Sequence, residues 1–143
     1  MQKIDIRSLL KNQSLFKEDG FINGNWVKSK TTFDVTNPAT DDLIATVANL
    51  TEQDTELAIK SAEDALPAWR SKLGKERAII LRKWFDLIIE NTQDLATLMT
   101  LEQGKPLPEA TGEVVYGASF VEWFAEEAKR VEGSILETTW SDK

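Results

Sequence analysis

The chain has 143 residues, of which 41% are hydrophobic and 29% are charged, a balance that fits one globular domain rather than a disordered segment. It contains no cysteine and no histidine, which excludes a disulfide framework, a thiolate nucleophile, a Ser-His-Asp triad and a His-ligated zinc site within these residues. Its net charge of −7, with no separate basic patch, argues against a nucleic-acid partner, because such a partner requires clustered lysine and arginine.

The sequence predicts neither a membrane span nor a secretory leader. No apolar run approaches the roughly 18 residues that a spanning helix requires. Near the N-terminus, acidic Asp5 lies between Lys3 and Arg7 and no apolar segment follows, which is not the pattern of a secretory signal. We therefore expect a cytoplasmic location and no membrane partner.

The first third of the chain is predicted to be mainly extended. Apolar residues over 4–16 indicate a short N-terminal helix, and residues 21–27 on either side of Asn23-Gly24 indicate a β-hairpin. Residues 31–36 and 43–47 are rich in β-branched side chains and predict two more strands. These segments form the small β-hairpin region of the predicted fold.

The hydrophobic period changes from two to 3.6 residues at Thr51, where the helical part of the chain begins. Thr51 is suited to cap the first turn of a helix, and Glu52 and Asp54 follow it where the helix dipole favours acidic groups. Pro67 predicts a kink or an early end near Leu66, because its ring clashes with the carbonyl group four residues earlier.

Two further long helices complete the predicted bundle. One covers residues 75–90, after which Thr92 is expected to cap a segment that Gly104 stops. The other covers residues 108–132 and is expected to end at Gly133. The sequence therefore predicts an α+β fold, with a small β-hairpin region followed by three long helices, and an unpaired strand over 134–143.

The glycine pattern contains no nucleotide-binding loop. No G-x-G-x-x-G motif is present, and Gly112 and Gly117, which have the spacing of a P-loop pair, are followed by Ala118-Ser119 within a predicted helix. The charged run from 122 to 130 is interpreted as a solvated helix face with Glu126 and Arg130 as an i,i+4 ion pair.

Four aromatic residues lie on one broad side of the last helix, and their role decides whether this helix is structural or functional. Core packing is the first interpretation of this group, and a role in lining a ligand site is the alternative. The four residues are Tyr116, Phe120, Trp123 and Phe124.

Seven short runs, in order and in spacing, resemble the aldehyde dehydrogenase superfamily. Within that superfamily the chain is most similar to succinate-semialdehyde dehydrogenases, through Glu-Trp-Phe-Ala-Glu-Glu at 122–127 and Ser-Leu-Phe at 14–16. The seven runs cover residues 21–27, 35–40, 44–47, 65–69, 76–82, 101–106 and 120–130.

The resemblance implies oxidation of an aldehyde to a carboxylate with hydride transfer to NAD or NADP. The family's cysteine nucleophile, oxyanion asparagine, glutamate base and Rossmann glycines would all follow Lys143. The chain is thus expected to be an inactive N-terminal fragment that binds no dinucleotide alone. Its substrate in the complete enzyme would be a short acidic aldehyde, most specifically succinate semialdehyde, and that enzyme would be a homo-oligomer.

The resemblance also implies a division of the chain and two site assignments. Residues 1–133 would be the N-terminal part of the dinucleotide-binding domain with its flanking helices, and residues 134–143 would begin the oligomerisation strand. Tyr116 and Phe120 match positions that line the substrate tunnel. The backbone carbonyls of Val35 and Thr36 and the side chain of Glu102 match the ligands of a structural monovalent cation, although Glu102 is often aspartate in the family.

Ordinary alternatives remain for each assignment. Tyr116 and Phe120 would serve only core packing, and Glu102 would be a charged residue at a helix end without a cation. At the level of the whole chain, the alternative to a dehydrogenase fragment is a stand-alone helical interaction module. In either case we expect the chain to expose apolar surface, which favours self-association or a partner.

Overall fold

A computed structural model describes residues 4–134 of the protein. Its N-terminal segment contains a short helix, α1 (Ile6–Leu9), and a 3-10 turn at Gln13–Leu15. The short N-terminal helix predicted within 4–16 is thus present, but it covers only Ile6–Leu9. The chain becomes extended at Leu10, and the next two backbone N–H groups donate to the carboxylate of Asp94 instead of to helical carbonyls.

The predicted hairpin is confirmed. Strands β1 (Gly20–Ile22) and β2 (Asn25–Val27) pair antiparallel, and the rings of Phe21 and Trp26 lie 4.9 Å apart across the pair. Asn23 and Gly24 both have positive φ, at 49° and 77°, as a two-residue turn of this hand requires.

Strands β3 (Thr32–Thr36) and β4 (Leu43–Ala48) form a second antiparallel sheet with a bulge. Val35 pairs with Ala45 while Thr36 pairs with Leu43, so that Ile44 is the extra residue on β4. Neighbouring residues of a regular strand face opposite sides, but here Ile44 and Ala45 are both buried because the bulge interrupts that alternation.

The first core lies between the N-terminal segment and β4, and its partly buried margin includes Val35, Leu98 and Leu101. It consists of Ile6, Leu10, Phe16, Ile44 and Ala45.

Helix α2 (Glu52–Ser71) begins at the predicted cap, where Thr51 and Asp54 form a reciprocal capping box. Of the kink or early end predicted near Leu66, the early end is wrong, since the helix continues through Pro67 to Ser71. The residues around Pro67 are exposed, so that water can hydrate the carbonyl of Glu63, which lacks a proline N–H donor. None of the residues of α2 is buried.

Helices α3 (Gly74–Glu90) and α4 (Thr92–Gln103) are separated by Asn91, and Gly104 ends α4 with a φ of 80°. The end of this helix at Gly104 was predicted correctly. Thr92 does not cap α4, because its hydroxyl donates to the carbonyls of Ile88 and Ile89 at the end of α3.

Helix α5 (Leu107–Glu127) is shorter than predicted. Lys129 and Arg130 donate to the carbonyls three residues earlier, which tightens the chain beyond Glu127 and ends the α-helix before Gly133. The strand predicted over 134–143 lies outside the described residues, apart from Ser134.

Helix α5 packs against α3 and α4 and forms the second core. Its small members, Ala96, Ala110 and Val114, allow α4 and α5 to approach closely, with Ile88, Leu95 and Met99 at the margin. The arrangement of two small sheets and a helical bundle is the predicted α+β class. Among residues 4–134, no helix is both long enough and apolar enough to cross a membrane.

Candidate functional site

Tyr116 and Phe120 form one unit on the surface of α5. They lie one helical turn apart, and their rings meet edge to face with centroids 5.0 Å apart. Their exposed fractions are 65% and 48%. Core packing within residues 4–134 therefore does not account for these two side chains.

The pair lies at an open groove of about 510 Å³ where α3, α4 and α5 meet; we call it the α5 groove. Its surface is mainly apolar, and Glu113 is its one charged lining residue. Lys105 forms an ion pair with Glu113, so that this carboxylate is already neutralised. The groove is lined by Ile88, Leu95, Met99, Glu113, Val114, Tyr116, Gly117, Ala118 and Phe120.

A second groove of about 570 Å³ lies on the same helix and shares Phe120 with the first. Trp123 and Phe124 line it with exposed fractions of 60% and 58%, so they too are outside the core formed by the described residues. The predicted broad aromatic side of α5 is thus present, but within residues 4–134 no partner element covers it.

The carboxylates beside this groove are held by α3. Arg82 donates to Glu122 at 2.7 Å and lies 3.6 Å from Glu126, and the bond to Glu122 raises the pKa of the Arg82 guanidinium above its ordinary value. The predicted pair of Glu126 with Arg130 is wrong, because Arg130 pairs with Glu127 at 3.0 Å instead. The ion pairs of Arg82 connect α3 to α5 and are exposed, which makes a structural role sufficient to explain them.

The predicted cation ligands occupy two elements that the first core brings together. Val35 and Thr36 lie at the bulge that ends β3, and Glu102 lies in the last turn of α4. Val35 packs on the same core as Leu98 and Leu101 of α4. The ligand-bearing ends of β3 and α4 are thus neighbours in the fold.

The carboxyl of Glu102 is the group whose chemistry bears on this assignment. Partial burial raises its pKa above the ordinary value of 4.5. Within residues 4–134 it has neither a hydrogen-bond donor nor a salt-bridge partner. One carboxylate with two carbonyl oxygens is a donor set that suits a hard cation. Residues 4–134 contain no group of three or more His, Cys, Asp or Glu side chains that could hold a metal ion.

Sequence reasoning missed one buried carboxylate that joins distant parts of the chain. Asp94 is only 8% exposed and accepts hydrogen bonds from the backbone N–H groups of Lys11 and Asn12, at 3.0 and 2.7 Å. Its partners are more than 80 residues distant in sequence, so no local pattern could reveal them. Gly112 and Gly117 lie inside α5 as predicted, which excludes a phosphate loop there.

The family model of the aldehyde dehydrogenase family matches residues 26–143. The chain belongs to the aldehyde dehydrogenase family. It is 52% identical over 136 residues to the glutarate-semialdehyde dehydrogenase of Pseudomonas putida, and 50% identical over 136 residues to the NADP(+) succinate-semialdehyde dehydrogenase of Escherichia coli. Each match covers 94% of this chain but 28% of the relative. The chain thus spans about a quarter of the length of these aldehyde dehydrogenases.

Solved structures of aldehyde dehydrogenases show the same fold. An Escherichia coli NADP-dependent enzyme superposes with a TM-score of 0.89 at 50% identity. The match covers 93% of this chain and 28% of the chain of that enzyme. The succinate-semialdehyde dehydrogenase of Burkholderia pseudomallei superposes with a TM-score of 0.88 at 48% identity, and covers 92% of this chain and 28% of its own. The α+β arrangement is therefore a fragment of the aldehyde dehydrogenase fold.

Proposed function

We propose that this chain is the N-terminal part of an NAD(P)-dependent dehydrogenase that oxidises a short acidic aldehyde, with succinate semialdehyde as the first candidate. The observation that carries the proposal is its similarity to relatives named for succinate semialdehyde, glutarate semialdehyde and 3-sulfolactaldehyde, at 48–52% identity. Each of these compounds joins an aldehyde to an anionic group through a short chain. The common chemistry supports the substrate class more strongly than any single member.

The 143 residues alone are proposed to be inactive. Thioester chemistry at an aldehyde requires a thiolate nucleophile, and the chain has no cysteine. NAD or NADP would supply the hydride acceptor when it is bound, and the glycine pattern of these residues offers it no phosphate loop. The nucleophile and the dinucleotide site therefore belong to the remainder of a longer polypeptide.

The contribution of this chain to the substrate site is proposed to come from α5. Tyr116 and Phe120 would form part of the wall of a substrate tunnel, because they are exposed here at the edge of the apolar α5 groove. An apolar wall would select for a short carbon chain, while the anionic group would be recognised by residues outside this chain. The covering element would be the remainder of the enzyme.

A monovalent cation is proposed as a structural component at Val35, Thr36 and Glu102. Two backbone carbonyls and the unpaired carboxyl of Glu102 would hold it, and its charge would favour the ionised form of that carboxyl. The site would join the end of β3 to the end of α4, and so would stabilise the fold rather than take part in the reaction.

The test of the proposed function begins with the complete gene product expressed from its native gene. Its intact mass is measured, and NAD(P)H formation is followed with succinate semialdehyde, glutarate semialdehyde and an uncharged aldehyde of equal length, each with NAD and with NADP. We expect a mass several times 16.1 kDa and the highest kcat/KM for an acidic aldehyde. We also expect a homo-oligomer in solution.

Two results would contradict the proposal in different ways. A preference for the uncharged aldehyde would remove the substrate class but keep the reaction. A gene product near 16.1 kDa without dehydrogenase activity would favour the alternative, a non-catalytic interaction module whose aromatic α5 surface binds a partner.

A further inference from the structure

The N-terminal segment, residues 4–18, crosses the first core as a strap that is fixed at both ends to β4. Ile4 donates its backbone N–H to the carbonyl of Leu43 at 2.9 Å, and Ala48 donates to the carbonyl of Glu18 at 2.8 Å. The strap therefore covers the length of β4, including the bulge opposite Val35 and Thr36.

The middle of the strap is fixed to α4. Asp94 accepts two backbone N–H bonds from Lys11 and Asn12, and the side-chain amide of Asn12 donates to Asn91 at 3.2 Å. Bonds from N–H groups to an ionised carboxylate are stronger than neutral ones, and a buried carboxylate without them would carry a large desolvation cost. Asp94 thus ties the strap to the first turn of α4.

The strap also packs against the core that is shared by the two elements that carry the proposed cation ligands. Its side chains Ile6, Leu10 and Phe16 pack with Ile44 of β4, and Leu98 and Leu101 of α4 pack against the same core. On α4, positions 94, 98 and 101 follow one another at spacings of four and three, so they share one broad helix face. Glu102 follows directly, about 12 Å along the helix axis from Asp94.

We propose that Asp94 is a positioning residue for the cation site: by locking the strap to α4, it sets the separation of Glu102 from the carbonyls of Val35 and Thr36. This inference rests on the proposed cation at those three residues. The strap contacts both the β3–β4 sheet and α4, and so it helps to fix their relative position. When the lock at Asp94 is released, α4 can shift relative to the sheet, and a set of three oxygens no longer fits one ion.

The experiment measures the melting temperature of the complete gene product as a function of Na⁺ or K⁺ concentration. Tetramethylammonium chloride keeps the ionic strength constant. The concentration of Na⁺ or K⁺ at half of the thermal shift reports apparent cation affinity. We expect Asp94→Asn to raise that concentration by up to about tenfold, the lower limit for residues that contact a metal ligand directly, since Asp94 acts on Glu102 from a distance.

A matched control separates positioning from loss of stability. Val114 is buried to the same extent as Asp94 but belongs to the second core, at the contact of α4 with α5. Val114→Ala should lower the melting temperature at zero cation and leave the half-shift concentration unchanged. If Asp94→Asn does not fold, Asn91→Ala replaces it, because it removes only the bond to Asn12 in the strap and the bond to the end of α3.

Three outcomes separate the inference from the proposal on which it rests. A raised half-shift concentration in Asp94→Asn or Asn91→Ala, but not in Val114→Ala, supports the positioning role. An unchanged concentration in the strap variant, with a normal cation response in the unmodified protein, overturns the positioning role alone. A melting temperature of the unmodified protein that does not respond to Na⁺ or K⁺ overturns the cation site, and the positioning role with it.

Discussion

Gly74 lies against the backbone carbonyl of Ala128, and a Cβ atom on residue 74 would overlap that oxygen. The contact joins the first turn of α3 to the chain just beyond the end of α5. Because the obstructing atom belongs to the backbone, it cannot move aside as a flexible side chain would. The close packing of α3 on α5 therefore depends on a glycine at this position.

We predict that Gly74→Ala lowers the free energy of unfolding by roughly 1–3 kcal/mol, the usual cost of inserting a methyl group into a packed contact. Gly112→Ala is the matched control, since it lies inside α5 with no atom within 4 Å of an added Cβ. Alanine should stabilise that helical position by about 0.5–1 kcal/mol. Urea denaturation of both variants measures the two effects, and equal signs would contradict the assigned contact.

The capping box of α2 gives a second prediction. Thr51→Ala should cost about 1 kcal/mol, because the hydroxyl of Thr51 accepts the backbone N–H of Asp54 at 3.3 Å and the helix would lose that cap. Thr55→Ala, one turn into the same helix, should be neutral or slightly stabilising, since it removes no cap and alanine is the better helix former. Circular dichroism during thermal unfolding can compare them. Equal losses would show that Thr51 does not cap α2.

Asp54 adds a pH dependence to the same helix end. Hydrogen bonds from the backbone and side chain of Thr51 lower the pKa of its carboxyl below the ordinary value of 3.8. A carboxyl with a lowered folded-state pKa stabilises the fold above its unfolded pKa, and this contribution is lost as the pH falls through the lowered value. The stability difference between the unmodified protein and Asp54→Asn should thus be constant above about pH 5 and shrink below pH 4. A difference that grows in acid would contradict this account.

The pH dependence of stability that we expect from Glu102 has the opposite sign to that from Asp54. Partial desolvation raises the pKa of this largely exposed carboxyl, so the protonated form is favoured in the fold, and its contribution to stability decreases as the pH rises through the raised value. Without Na⁺ or K⁺, Glu102→Gln should therefore raise the melting temperature at pH 7, and the gain should vanish below the ordinary pKa of 4.5. Glu56→Gln on the exposed face of α2 serves as the control. A loss of stability at pH 7 in cation-free buffer would show that Glu102 has a partner of its own.

Phe120 distinguishes a tunnel wall from a core residue. In the complete gene product, Phe120→Ala should raise KM for succinate semialdehyde, by up to about tenfold, because an apolar contact with the carbon chain is lost. Ile6→Val, in the first core and away from the α5 groove, should instead lower stability by about 1 kcal/mol and leave KM unchanged. Steady-state kinetics and thermal melts of both variants distinguish the role in the tunnel wall from a role in core packing. If the two exchange these effects, the assignment of Phe120 to the wall is wrong.

The parts of the fold that sequence predicted correctly depend on chemistry within a few residues. Asn23-Gly24 defines its hairpin, Thr51 with Asp54 starts α2, and Gly104 ends α4, each through backbone conformations or bonds between near neighbours. One of the errors has a cause that is distant in sequence. The predicted first helix ends early because its chain bonds to Asp94, more than 80 residues away. Patterns of residue spacing describe only near neighbours in the sequence and do not reveal such a contact.

The predictions for the candidate site also separate into features set by near neighbours and features set by distant parts of the chain. Tyr116 and Phe120 were placed on one side of a helix by their spacing, and the structure confirms that they share that side. Their exposure was not predictable, because it depends on which elements pack on α5 rather than on α5 itself. The hypothesis that Val35 and Glu102 share a cation came from the resemblance to a family. Periodicity alone does not indicate which distant residues lie close together in the fold.

The lack of burial along α2 determines which part of the folded protein unfolds locally. A helix whose 20 residues bury no side chain can unfold locally without disturbing either core, so its free energy of local opening is far below that of global unfolding. Amide hydrogens between Glu52 and Ser71 should therefore exchange with solvent deuterium well before those near Ala110 and Ala118 of α5. In the native state of this chain, proteases would find their first cleavage site along α2, while α3, α4 and α5 remain folded.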